Sequence, residues 1–189
     1  MAAGKPSATY PAMTVDAPGG TAEGSGPRDS AATVAAIAER LRARHETLAV
    51  AESACGGLLS HLLTNLPGSS AWFAGGVVAY SNQAKLALLG IPQDVLATAG
   101  AVSPTCALAM ARGAQARLGT HWGIAETGIA GPQAGRRSAK PAGLAYIALY
   151  GPGIERVTEV QTGRDERVAN KEAFARAALE LLLAALAGG

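Results

Sequence analysis

Glu52-Ser53 ends a short apolar run, Leu48–Ala51, and Gly56-Gly57 follow before the apolar sequence resumes at Leu58. This pattern predicts a strand, a tight turn and a helix, with the Ser53 hydroxyl at the carboxyl end of the strand. Backbone N–H groups at the start of the helix would sit beside it, so a nucleophile and an oxyanion-stabilising nest can share the corner. The same residues also suit a purely structural role, with Ser53 capping the helix and Gly56-Gly57 permitting close packing. A serine is a weak nucleophile at neutral pH, and the catalytic role therefore requires a base.

Two further corners carry candidate groups. In Gly75-Gly76-Val77-Val78-Ala79-Tyr80-Ser81-Asn82-Gln83-Ala84-Lys85, Tyr80 ends an apolar segment and Lys85 falls one turn into the next helix. If that strand neighbours the first, Tyr80 and Lys85 emerge on the same edge as Ser53. A lysine serves as base when desolvation lowers its pKa, and serine–lysine pairs are an alternative to the histidine triad. A tyrosine hydroxyl between them can relay a proton or hold the lysine. By spacing alone, Lys85 equally suits a solvated helix position and Tyr80 an amphipathic strand end. The third corner is Ala125-Glu126-Thr127-Gly128-Ile129-Ala130-Gly131-Pro132, where Thr127 can meet a substrate and Gly128 leaves room for the backbone to approach it. Arg136, Arg137 and Lys140 follow in a loop suited to an anionic ligand, though an ordinary soluble loop has the same composition.

The elements that must position these groups alternate. A helix capped by Asp29 or Ser30 carries Val34, Ile37 and Leu41 on one face. Strands are expected at Thr47–Glu52, Trp72–Tyr80 and Trp122–Glu126, and Leu144–Tyr150 with Arg156–Gln161 form a hairpin through Gly151-Pro152-Gly153. Helices are expected at Gly56–Asn65, at Asn82–Leu89, and after Pro92. Another runs from Ser103-Pro104 to Leu118, and a last one from about Asp165 to Leu186. Thr127–Pro141 reads as a loop. The alternation predicts an α/β fold, a three-layer α/β/α sandwich around a central mixed sheet, with the corners opening where ligands of open α/β sheets bind.

Composition narrows the class. The 49% hydrophobic content is mostly alanine and leucine, with two Trp, two Phe and four Tyr, which suits small-residue helices packed on a sheet. A net charge of +2 gives no reason to expect nucleic acid or membrane as a partner. Residues 1–30 hold four prolines, five glycines and no Leu, Ile or Phe, so they read as a disordered tail before a domain spanning 31–189. Cys55 and Cys106 make no disulfide framework or metal motif, and His45, His61 and His121 follow no ligand spacing. Neither metal nor cofactor is expected, and the cytosol is the default compartment.

Taken together, Ala51-Glu52-Ser53-x-x-Gly56-Gly57, Pro67-Gly68-Ser69-Ser70, Gly75-Gly76-Val77-Val78-x-Tyr80-Ser81-Asn82-x-x-Lys85, Gly100-Ala101-Val102-Ser103 and Thr127-Gly128-Ile129-Ala130-Gly131-Pro132 resemble the carboxyl-terminal domain of the CinA competence-damage family. The likeness runs from about Val34 to Leu186. Active members of that family are nicotinamide mononucleotide amidohydrolases, so the resemblance implies hydrolysis of the carboxamide to nicotinate mononucleotide and ammonia, in pyridine nucleotide salvage. It places the nucleophile on Ser53, a tyrosine on Tyr80, the lysine base on Lys85 and the threonine of its Thr-Gly-Ile-Ala-Gly-Pro motif on Thr127, while the residues themselves suggest Gly56, Gly57 and Gly128 as backbone contacts for the substrate. A loose match to a Gly-Asp-Arg motif puts a phosphate-binding arginine on Arg167, with Arg137 as a further candidate, and a homodimer is the implied assembly. Two departures bear on the substrate. Ala54-Cys55 stands where members usually have Cys-Thr, and Gln133-Ala134-Gly135-Arg136-Arg137 is bulkier and more charged than the usual glycine-rich stretch. Nothing in the chain resembles the amino-terminal, molybdopterin-binding-like domain of larger members. A non-catalytic nucleotide-binding module and an amidase acting on another small amide are the competing expectations.

Overall fold

Strand order follows from which segments can be buried on both faces. The computed structural model describes residues 27–132 and 139–188. Within it β1 (Leu48–Glu52) is wholly buried and lies between β2 (Phe73–Val78) and β3 (Trp122–Ile129), parallel to both. The hairpin β4 (Leu144–Gly151) and β5 (Ile154–Gln161) continues the sheet antiparallel from β3, giving the order β2-β1-β3-β4-β5. The sheet is mixed, as expected.

Alternate side chains of each strand feed two cores. On one face Leu48, Val50, Ile124 and Ile147 meet α1 (Pro27–Ala43), α2 (Leu58–Thr64) and α6 (Arg167–Ala187) through Ile37, Leu41, Leu59, Phe174 and Leu182. On the other, the smaller Ala49, Ala51, Ala125 and Ala148 admit the alanine-rich α5 (Pro104–Leu118), with Leu89 of α3 (Asn82–Leu89) joining it. A short α4 (Gln93–Thr98) leads into α5. Helices on both faces complete the three layers.

Several boundaries differ from the sequence expectation. α1 begins at Pro27, so Asp29 and Ser30 lie within it rather than capping it, and the expected tail gives way to helix before residue 30. The remainder of that tail, with Arg136 and Arg137, falls outside the described residues. β3 does not stop at Glu126. Thr127, Gly128 and Ile129 stay in the strand because Tyr146, Ala145 and Leu144 of β4 pair with them. β2 ends at Val78, leaving Tyr80 beyond the ladder, and α6 starts at Arg167, after Asp165.

Candidate active site

β1 and β2 being neighbours, the turns that leave them are side by side. The ladder's last pair is Glu52 with Val78, and the N–H of Ala79 donates to Glu52 O at 2.8 Å. Ser53 therefore sits beside the chain that leads into α3. Ser81 caps that helix, its hydroxyl accepting from the N–H of Ala84 at 3.1 Å, which sets Lys85 one turn in. Lys85 points inward rather than to water and is 1% exposed. Its Nζ lies 2.8 Å from Ser53 Oγ and donates to Ala79 O, also at 2.8 Å. Burial pulls its pKa below the ordinary lysine range, while Cys106 and Glu126 pull the other way. An amine biased toward its neutral form, in contact with a hydroxyl, can act as the general base that a serine needs.

Two buried glutamates hold the turn around Ser53. Glu52 Oε2 accepts from the N–H groups of Gly57 and Leu59 at 2.8 and 3.0 Å, and its Oε1 accepts from Ser60 N and Ser60 Oγ at 2.9 and 2.6 Å. It thus caps α2, whose own N-cap position is Gly57 and supplies no side chain. Glu126, across the sheet on β3, accepts through Oε1 from Ser53 N and Cys55 N at 2.7 and 2.6 Å. Burial raises its pKa to about 7, against the lowering pull of those two N–H bonds. Neither glutamate is singled out by the sequence: Glu126 acts through strand pairing that no local spacing reveals, whereas Glu52 caps the helix that begins a few residues after it.

Ser53, Tyr80, Lys85, Thr127, Gly128 and Arg167 all line one cleft of about 300 Å³. The structure thus brings together groups from three corners and the start of α6. Thr127 Oγ1 donates to Ala101 O at 2.7 Å, fixing the floor of the cleft to the loop before α5. A Cβ on Gly128 would come within 2.7 Å of Ala145 Cβ and Leu144 O, so the close pairing of β3 with β4 excludes any side chain there. A Cβ on Gly131 would meet Arg167 Cβ at 2.9 Å, and its absence lets α6 begin against the cleft. Asn170, fully buried, clasps the same junction. Its Nδ2 donates to Ala130 O and Arg164 O at 2.7 and 2.8 Å, and its Oδ1 accepts from Thr162 Oγ1.

Other expected residues lie elsewhere. Tyr80 lines the cleft but is 67% exposed and bonds neither Lys85 nor Ser53, because Lys85 reaches the serine directly. Gly56 and Gly57 are not among the lining residues; the N–H of Gly57 is occupied by Glu52. Lys140 donates to Val102 O and lies over the Tyr146 ring, 5.5 Å from its centroid, rather than lining the cleft. The N–H of Ala54, a cleft residue directly after Ser53, has no protein acceptor among the described residues. It is therefore better placed than Gly57 to receive an oxyanion. A larger groove of about 360 Å³ between α1, α2 and α6 is lined as much by polar residues, Ser30 and His61 among them, as by apolar ones such as Val34 and Leu62, and His61 there pairs with Asn65 rather than with Ser30. Among the described residues no cluster of His, Cys, Asp or Glu is arranged to hold a metal ion, and no helix is long and apolar enough to cross a membrane.

The family model for the CinA C-terminal domain matches residues 30–186. The chain belongs to the CinA family. A CinA-like protein of Synechococcus sp. is 51% identical over 141 residues, covering 72% of this chain and 33% of that protein. A CinA-like protein of Nostoc sp. is 52% identical over 127 residues, covering 67% of this chain and 29% of that one. The chain thus spans about a third of the length of the curated CinA relatives it matches. Among solved structures, a competence/damage inducible protein from Agrobacterium tumefaciens superposes with a TM-score of 0.78 at 38% identity, covering 82% of this chain and 94% of its own. A CinA superfamily protein from Klebsiella pneumoniae does so with a TM-score of 0.79 at 29% identity, covering 85% and 99%. The α/β/α architecture is therefore that of the CinA domain.

Proposed function

We propose that this CinA domain is a serine–lysine amidohydrolase that converts nicotinamide mononucleotide and water to nicotinate mononucleotide and ammonia. The observation that carries this reading is the 2.8 Å contact between Lys85 Nζ and Ser53 Oγ, made by an amine that is almost wholly buried. Ser53 Oγ attacks the carboxamide carbon as Lys85 accepts its proton. The oxyanion is received by the N–H of Ala54, a donor typically worth about 3 kcal/mol of transition-state stabilisation. When the tetrahedral species collapses, the carbon–nitrogen bond breaks and the Lys85 ammonium gives its proton to the departing amine as ammonia. A water then attacks the ester on Ser53, with Lys85 again taking a proton, and returns the serine and a carboxylate.

Arg167, at the first position of α6 and on the cleft wall, is the cation placed to hold the substrate phosphate, with the helix N-terminus adding to the attraction. Thr127 and Tyr80 flank the remaining ligand surface. The proposed setting is cytosolic pyridine nucleotide salvage, with a homodimer as the working assembly. The deciding assay is ammonia release from nicotinamide mononucleotide, with nicotinamide and NAD offered in parallel. Wild type should release ammonia from the mononucleotide, and Ser53→Ala should not, while keeping its thermal melting. Turnover by Ser53→Ala near the wild-type kcat would overturn the mechanism. Turnover of another amide with none of the mononucleotide would keep the chemistry and replace the substrate.

A further inference from the structure

Glu126 has no exposed surface, yet no step above touches it. One of its oxygens is fully used, Oε1 taking the N–H groups of Ser53 and Cys55, whereas Oε2 has no hydrogen-bond partner among the described residues. A neutral amide would satisfy the same two N–H groups with its single carbonyl oxygen. Hydrogen bonding therefore accounts for an acceptor at this position but not for an ionisable one, and an ionisable group this deeply buried is costly. Across Ser53 from it stands Lys85, in contact with the hydroxyl of the residue whose N–H Glu126 holds.

We propose that Glu126 is a positioning residue that fixes the Ser53–Cys55 turn and supplies the counter-charge to the ammonium that Lys85 becomes when it takes the proton of Ser53. The proposal rests on the serine–lysine reading above. Proton transfer from Ser53 to Lys85 creates a cation on a side chain that is almost wholly buried, and a carboxylate one residue away lowers the cost of that step. By engaging the N–H groups on either side of Ala54, Glu126 also sets the orientation of the turn and leaves the Ala54 N–H for the substrate. The groups that share this field are few. Glu52 and Cys55 face Glu126, Lys171 of α6 faces Cys55, and Cys106 of α5 faces Lys85. Of the two lysines, only Lys85 touches Ser53.

The signature is the titration of Lys85. A negative charge at Glu126 holds that titration up, so Glu126→Gln, which keeps the acceptor and removes the charge, should let it fall. Coulomb interaction across one residue at an intermediate dielectric corresponds to a shift on the order of one pH unit. The experiment is an NMR pH titration of isotope-labelled lysine side chains in the full chain, with the Lys85 resonance assigned by its loss in Lys85→Arg. In Glu126→Gln the Lys85 midpoint should move down by about one unit. The acid limb of kcat/KM for nicotinamide mononucleotide should move with it, and kcat should fall about tenfold with KM little changed. An unchanged Lys85 midpoint in Glu126→Gln overturns the proposal, whatever the protein hydrolyses. A shifted midpoint in a protein whose wild type releases no ammonia from the mononucleotide overturns the amidase reading and leaves the role of Glu126 in place.

Discussion

Replacing glutamate by glutamine should have unequal consequences at the two buried carboxylates, and the difference can be worked from their bonds. At Glu52 both oxygens are saturated, each accepting from two donors. Glutamine must set its NH₂ group against one of those pairs. The less costly orientation puts the NH₂ toward Ser60, where the hydroxyl can rotate to accept from it, but the Ser60 N–H is then left facing a donor. One stranded N–H costs roughly 1–3 kcal/mol, and the bonds that remain lose the charge that strengthened them. Glu52→Gln should therefore destabilise the domain by about 3 kcal/mol, or a fall in Tm of roughly 6–12 °C for a chain of this size. At Glu126 the carbonyl keeps both N–H groups and a buried charge is removed, while the NH₂ that replaces the unpartnered oxygen finds no acceptor, a cost that offsets the relief of the charge. Glu126→Gln should stay within about 1 kcal/mol of wild type. Urea unfolding at neutral pH, followed by the fluorescence of the buried Trp72 and Trp122, measures both through the midpoint at constant m. Two variants of equal stability, or Glu126→Gln the weaker, would refute this account of how the Ser53 turn is held.

Three further outcomes are expected. Lys85→Arg should be as inactive as Lys85→Ala in the ammonia assay, since a guanidinium stays protonated at working pH and cannot accept the serine proton. Arg167→Ala should raise KM for nicotinamide mononucleotide about ten- to a hundredfold, the equivalent of a charge-assisted contact worth roughly 1.5–3 kcal/mol, and leave the weak turnover of nicotinamide riboside unaltered. Glu126 titrates at about 7 in the fold against a usual 4.5, so its contribution to stability is complete below pH 4.5 and is lost as pH rises through 7. Wild type measured against Glu126→Gln should accordingly lose up to about 3 kcal/mol across that window.

Local signals in the sequence located the site's frame well. Ser103-Pro104 placed the start of α5, with the Ser103 hydroxyl accepting from Cys106 N at 3.1 Å, and the span of α3 was equally clear, because caps and stops act within a few residues. Ser53, Lys85 and Thr127 are legible as types at corners and Arg167 only through the family resemblance, and the four share one cleft. What could not be read was anything set by a partner strand. Thr127-Gly128 reads as a turn by composition, but β4 draws it into the ladder. Tyr80 was expected between serine and lysine, yet the direct Lys85–Ser53 contact leaves it at the exposed mouth. Glu126 looks like an unremarkable strand end until the sheet brings it to a turn 73 residues earlier in the chain.

The clasp formed by Asn170 has a consequence for biosynthesis. The cleft takes its serine from the turn after the first strand and its arginine from the opening residue of the last helix, which Asn170 ties to Ala130 and Arg164. That helix also contributes Phe174, Ala175, Leu179 and Leu182 to the core beneath the sheet. A growing chain therefore carries Ser53 and Lys85 long before it can present them in a finished cleft. The cleft is thus completed last, when α6 has been made and has docked on the sheet.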